Sequence, residues 1–214
     1  MKYHVIQSGE SRSFPADHAL ITSGADSGDV AVIMGSDAGK AFQSLPHADG
    51  YRAVLVELGA ESLGSHTGES RGDEGSNVLG FARFRLGDAA PSDLVELVRQ
   101  PRTAQTAIDA ARALFEGHGL KVALCGDFAG RILDRLIRPY YNAALRRLDE
   151  GLATAGDMDT TLKLGLGYPE GPIELLERTG LAHHYDVTQA LYEACGDPAC
   201  APARRARVAK QRKN

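Results

Sequence analysis

The stretch KLGLGYPEGPIELLERTGL, residues 163–181, decides how the second half of this chain folds. It places four glycines and two prolines between flanks that read as helix, and those are the residues that break helices. Pro172 suits the first turn of a helix, and Gly180 suits the left-handed position that ends one. PIELLERTG therefore reads as a two-turn helix framed by its own signals, and GLGYPEG as a tight connection between helices.

Working outward, the neighbours are helical too. In FAGRILDRLIRPYYNAALRRLDEG, the positions Ile132, Leu133, Leu136, Ile137, Tyr140, Tyr141, Ala144, Leu145 and Leu148 follow the i, i+3, i+4 spacing of a buried face. Tyr140 and Tyr141 are expected to pack on that face, and Pro139 to kink the helix near Arg135 and Leu136. Shorter helices are expected near Met158 to Leu164 and from Leu181 to Cys195. Residues 126–214 thus read as an all-α domain.

Residues 1–125 have a different character. HVI at 4–6, ALIT at 19–22, VAVIM at 30–34, AVLVEL at 53–58, VLGFARF at 78–84 and KVALC at 121–125 are short β-type runs separated by loops and helical patches. That alternation predicts an α/β domain with a small, mostly parallel sheet. The clearest helix there is TAQTAIDAARALFEG, with Thr103 as its expected cap and Gly117 as its end. Between Gly59 and Asn77, a polar, Gly/Ser-rich segment offers almost nothing to anchor a core and reads as a surface loop.

The 24 basic and 28 acidic residues leave a net charge of -4, so no global field draws the chain to nucleic acid or an anionic membrane. No apolar run reaches the roughly 20 residues of a membrane span, and the first residues lack a signal-peptide core. A cytoplasmic protein is expected. Cys125, Cys195 and Cys200 suit reduced thiols better than a disulfide framework, and no metal site is expected because four convergent ligands are not in sight. The basic end ARRARVAKQRKN reads as a solvated tail or a helix C-terminus favoured by the dipole, ahead of a site for ligand phosphates or nucleic acid.

The helical half resembles the C-terminal domain of the 3-hydroxyacyl-CoA dehydrogenases. The likeness rests on an ordered series: Arg135 and Leu136 ahead of Pro139, the segment YNAALRRLDEGLA, the pair Met158 and Asp159, and GLGYPEGPIELLERTGL. It extends upstream to LVELVRQPRT at 94–103, where Glu96 precedes a threonine. It is nearest to the second, degenerate half of long bacterial versions, so the N-terminal half is expected to be a truncated, degenerate Rossmann-like domain.

The resemblance implies an NAD-binding domain and a helical domain that close around an acyl-CoA. It also implies a histidine, held by a glutamate, that takes the hydroxyl proton as hydride passes to nicotinamide. Histidine suits that step because its pKa lies near working pH and the carboxylate fixes its tautomer. Glu96 matches the glutamate and Asp134 the position of a substrate-orienting asparagine; an ionised carboxylate cannot donate the hydrogen bond of an amide. The histidine pattern GxHFFNP is answered by GFARFRLGDAAP, residues 80–91, with no histidine. No GxGxxG fingerprint occurs, and the nearest string, GSDAGKAF at 35–42, lacks the six-residue pattern.

Beside the family roles stand plainer ones. Glu96 also reads as a surface carboxylate, and Asp134 as an exposed or salt-bridged helix residue close to Arg131, Arg135 and Arg138. The expected function is therefore a catalytically degenerate dehydrogenase-family unit of acyl-CoA metabolism. It would bind acyl-CoA or another acyl-CoA enzyme, and form a homodimer through its helical half, with NAD implied by resemblance only. The alternatives are an active NAD-dependent enzyme with an altered or partner-completed site, and a structural dimer without ligand.

Overall fold

The computed structural model describes residues 1–213. The chain divides into two compact units: Met1–Arg85 with Pro91–Arg131, and Leu86–Ala90 with the chain from Ile132 onward.

The first unit is built on a six-stranded sheet of β1 (Tyr3–Gln7), β2 (Val30–Met34), β3 (Ala53–Glu57), β4 (Val78–Arg83), β5 (Leu94–Arg99) and β6 (Lys121–Gly126), in that spatial order. Every neighbouring pair is parallel except β4 and β5. VAVIM and AVLVE are buried at every position, as apolar runs covered on both faces must be. Alternate residues feed two cores. Val30, Val32, Met34, Leu55 and Leu79 pack with Ala107, Ala111, Leu114 and Phe115 of α4 (Gln105–Gly117). Ala31, Ile33, Val54 and Val56 pack with Ala38 and Phe42 of α2 (Ala38–Gln43).

Three local expectations are corrected. ALIT is not a strand but the short helix α1 (Ala19–Thr22), because the His18 imidazole accepts the Leu20 N–H at 3.1 Å and caps a turn. Thr103 does not cap α4; its hydroxyl instead accepts the Gln100 N–H at 2.9 Å and closes the turn after β5. The Gly/Ser-rich segment is anchored, since Leu63 is fully buried and α3 (Gly64–Thr67) starts on the Asp127 carboxylate, which accepts the N–H groups of Leu63 and Gly64 at 2.6 and 2.7 Å.

The second unit contains α5 (Leu133–Asp149), α6 (Ala155–Leu166), α7 (Pro172–Thr179), α8 (Leu181–Cys195) and α9 (Arg204–Lys213). Tyr141, Ala144 and Leu145 of α5 pack with Ile173 and Leu176 of α7 and Ala206 of α9. Tyr140 also lies against this core, and α5 continues through Pro139.

The punctuated stretch acquires a physical cause here. Gly167 ends α6 in the left-handed conformation. The buried Asp159 carboxylate then accepts the N–H groups of Ile173 and Glu174 at 2.9 and 3.0 Å, capping α7 from another helix. Gly171 must be glycine, because a Cβ there would lie 2.3 Å from the Asp159 side chain. Glu174 reaches back to the Gly171 N–H at 2.8 Å, and Glu170 holds Arg178 by two bonds of 2.8 and 2.6 Å. A proline at the start of α7 and Gly180 at its end, with φ +96°, complete the unit.

Candidate functional site

Glu96 lies in the middle of β5, 1% exposed, which excludes the surface reading. A carboxylate in a sheet interior requires a compensating charge. The antiparallel register sets Ala82 of β4 directly opposite it. Residues paired this way point to the same face of the sheet, so the cross-strand neighbour of the carboxylate is a methyl group. The compensating charge comes instead from Arg131, equally buried, whose Nε lies 3.4 Å from Glu96 Oε2. Arg131 Nη1 also donates to the Gly59 carbonyl at 2.8 Å. Its backbone φ is +54°, a region that a non-glycine residue enters at a cost.

A guanidinium stays charged and presents donors only. It can neutralise Glu96 but cannot accept a proton. Cys125 on β6 is no substitute base: burial, then the nearby Glu96 carboxylate, push its thiol up to about 11, so it remains protonated near neutral pH.

Asp134 belongs to the second unit. It is buried and ion-paired with Arg138 at 2.8 Å one turn later on α5, so the salt-bridged reading holds and the exposed one does not. Arg138 Nη1 donates to His184 Nδ1 at 3.1 Å, which leaves His184 Nε2 to donate to Asn142 Oδ1 at 3.0 Å. Asn142 in turn donates to the carbonyls of Ala199 and Cys200. Burial, then the Arg138 charge, hold His184 down to about 3, so it is a neutral link in this network.

The basic C-terminal segment is the helix α9. Arg204 and Arg205 both bind Asp149, and Lys210 binds Asp186.

The region that follows β2 and β3 in the first unit is where an open α/β sheet ordinarily receives a nucleotide, at a reversal of strand order. Here the order runs from β1 to β6 without reversal. A cleft of about 270 Å³ lies there, lined by residues that include Glu10, Asp37, Lys40, Glu57, Glu61 and His66. The lining sets four carboxylates against the cations Arg12 and Lys40, of which Lys40 is already bound to Asp37 at 2.7 Å, so the cleft opposes a pyrophosphate. The residues present do not fit NAD. Among the described residues, no group of three His, Cys, Asp or Glu side chains is placed to hold a metal ion, and no helix is long and apolar enough to cross a membrane.

Sequence reasoning missed Ala82 and Arg131. Their signal lay in the register of GFARF against LVELV, which puts the third residue of the first string opposite Glu96, and in the lone arginine that opens the RIL segment.

Residues 130–213 match the family described as the 3-hydroxyacyl-CoA dehydrogenase C-terminal domain. The chain is similar to human mitochondrial hydroxyacyl-coenzyme A dehydrogenase, 40% identical over 88 residues that make up 41% of this chain and 28% of that protein. It is 33% identical over 105 residues to 3-hydroxybutyryl-CoA dehydrogenase of Bradyrhizobium diazoefficiens, covering 49% of this chain and 36% of the relative. The matched part is thus well under half the length of these relatives. In structure, the chain superposes on 3-hydroxybutyryl-CoA dehydrogenase of Escherichia coli K12 with a TM-score of 0.71 and 24% identity, over 90% of this chain and 40% of that one. That likeness covers both halves and establishes the fold: a Rossmann-like sheet followed by a helical domain of this family's type.

Proposed function

With its helical segment being a 3-hydroxyacyl-CoA dehydrogenase C-terminal domain, we propose that this chain is a catalytically degenerate member of that family serving acyl-CoA metabolism in the cytoplasm. The observation that carries the reading is the cross-strand pair: Glu96 is present, buried and oriented, but Ala82 stands opposite it and Arg131 neutralises it. A proton-accepting imidazole has been replaced by a methyl group and a permanent cation. Loss of one member of a catalytic set commonly removes several powers of ten in rate. Asp134, locked to Arg138, is a structural ion pair in this reading and not a substrate-orienting group.

What remains is binding. The helical unit exposes Leu164, Leu166 and Tyr168 around the C-terminal end of α6. We assign this surface to a second copy of the chain, with acyl-CoA or another acyl-CoA enzyme as the functional partner. Three free thiols are in keeping with a reducing compartment.

Purified protein mixed with a 3-hydroxyacyl-CoA and NAD is expected to give no NADH absorbance, and steady turnover would overturn the proposal. Titration calorimetry with an acyl-CoA then tests the ligand role: saturable heat supports it, and flat heat leaves only the dimer. Sedimentation should show a dimer that Leu164→Glu converts to monomer.

A further inference from the structure

The turn after β2 carries the two glycines, Gly35 and Gly39, that invite comparison with a nucleotide-binding loop. Both are accounted for by this chain's own packing. Gly35 has φ +111°, and a Cβ there would lie 2.2 Å from the Ser8 carbonyl oxygen. A Cβ on Gly39 would lie 2.2 Å from the His66 ring. The segment that follows β1 crosses the turn, and a ring from α3 covers the start of α2.

The hydrogen-bond donors are spent in the same way. The Gly35 N–H donates to Glu57 Oε2 at 2.7 Å. The other Glu57 oxygen accepts the Ser13 N–H at 2.8 Å and the Ser11 hydroxyl at 3.0 Å. The Asp37 N–H donates to the Ser8 carbonyl at 3.0 Å. Glu57 is 6% exposed, and the Ser11, Ser13 and Gly35 donors come from the turn and from the segment after β1, which lies across the turn as a strap. The strap is also fixed from its far side. Arg83 donates to the Ser13 carbonyl at 3.0 Å, its guanidinium stands 5.1 Å from the centre of the Phe14 ring, and Phe14 is buried in the core.

A carboxylate that accepts two backbone N–H groups and a hydroxyl occupies what is, chemically, an oxyanion site. We infer that Glu57 is a built-in anion: the chain seals its own glycine turn with this side chain, so the turn refuses nucleotide phosphates, and removing the carboxylate converts it into a site for a small free oxyanion. This does not rest on the missing general base. A chain with an intact histidine and glutamate pair could carry the same seal, and the two readings fail in different experiments.

The test is thermal unfolding with inorganic phosphate exchanged for chloride at constant ionic strength. Wild type should be indifferent to the exchange. Glu57→Ala should melt lower and be restored by phosphate by roughly 4 °C at ten times its dissociation constant. A variant that phosphate does not stabilise, or a wild type stabilised equally, overturns the inference. So does saturable binding of NADH to wild type, followed by its fluorescence. Should Glu57→Ala fail to fold, Glu57→Gln preserves the shape without the charge. The amide proton resonances of Gly35 and Ser13 should then move upfield, and their staying in place would equally overturn the assignment.

Discussion

Replacing Arg131 by methionine while keeping Glu96 should be among the most damaging single changes in the first unit. Both side chains are about 95% buried or more, and the guanidinium is 3.4 Å from the carboxylate. Arg131→Met leaves a buried charge without this partner, which costs roughly 3–5 kcal/mol, and also removes the bond to the Gly59 carbonyl. Methionine retains the length of the side chain and the same left-handed backbone strain, so neither confounds the comparison. With a urea dependence of about 2 kcal/mol per molar, the unfolding midpoint should fall by roughly 2 M. Glu96→Leu alone should also destabilise, by removing the carboxylate that offsets the buried Arg131 charge. The double variant should recover to within about 1 kcal/mol of wild type, because an apolar pair of similar volume has no charge to desolvate. Urea titrations followed by circular dichroism, with hydrogen exchange of the β5 amides as a probe of this unit, give the three values. A coupling energy below about 1 kcal/mol would refute the idea that Arg131 has taken over the histidine's place as partner of Glu96.

His184 gives a pH dependence with a definite sign. Its pKa is depressed from 6.5 to about 3 in the folded chain, so below pH 6.5 the unfolded chain binds the extra proton and the folded one does not. The second unit should therefore be fully stable above pH 6.5 and lose on the order of 1 kcal/mol per pH unit on acidification toward 3; His184→Gln should flatten that slope, and an unchanged slope would count against a neutral buried ring. Asp159→Ala should cost about 1–2 kcal/mol by uncapping α7, and Gly171→Ala a similar amount by displacing the same carboxylate. Because Gly171 has an ordinary φ of -76° and the Cβ of Asp159 is itself 2.3 Å from a Cβ added there, Gly171→Ala should be nearly neutral only once Asp159 is glycine; additive costs in urea titrations would contradict the shared cause. Thiol alkylation at pH 8 should modify exposed Cys195 first and Cys125 about a hundredfold more slowly than an ordinary thiol, as its raised pKa demands.

The helical half was legible because its signals are local. Pro172 and Gly180 bound α7 where the pattern placed them, and α8 runs from Leu181 to Cys195 as its periodicity predicts. The partner that makes Gly171 necessary was less visible, since Asp159 reaches Ile173 and Glu174 of α7 across 14 and 15 residues of sequence and only the fold brings them together. The sheet was legible as a set of apolar runs, but β5 was not among them: LVELVR contains a glutamate and an arginine, and its buried carboxylate hides a strand whose other inner positions are apolar. ALIT misled because four β-type residues are too few to choose a conformation against a capping histidine. The Gly/Ser-rich segment misled because one leucine and one distant aspartate suffice to hold it, and neither has a composition signature.

The two unusual buried carboxylates, Glu57 and Glu96, share a logic that bears on how function could be lost while the fold persists. A sheet that binds a charged nucleotide and a polarised catalytic pair exposes donors and a carboxylate that require partners when the ligand and histidine are gone. Here the N–H of the glycine turn receives Glu57, and Glu96 receives Arg131. Each of these two groups is satisfied from within the chain, with no ligand. On the proposed reading, Ala82→His should not by itself give turnover: the imidazole would meet a carboxylate already engaged by a permanent cation, beside a turn already filled by the Glu57 carboxylate. Turnover would then require removing Arg131 and Glu57 as well, and each removal, taken first, should destabilise the sheet that the site needs.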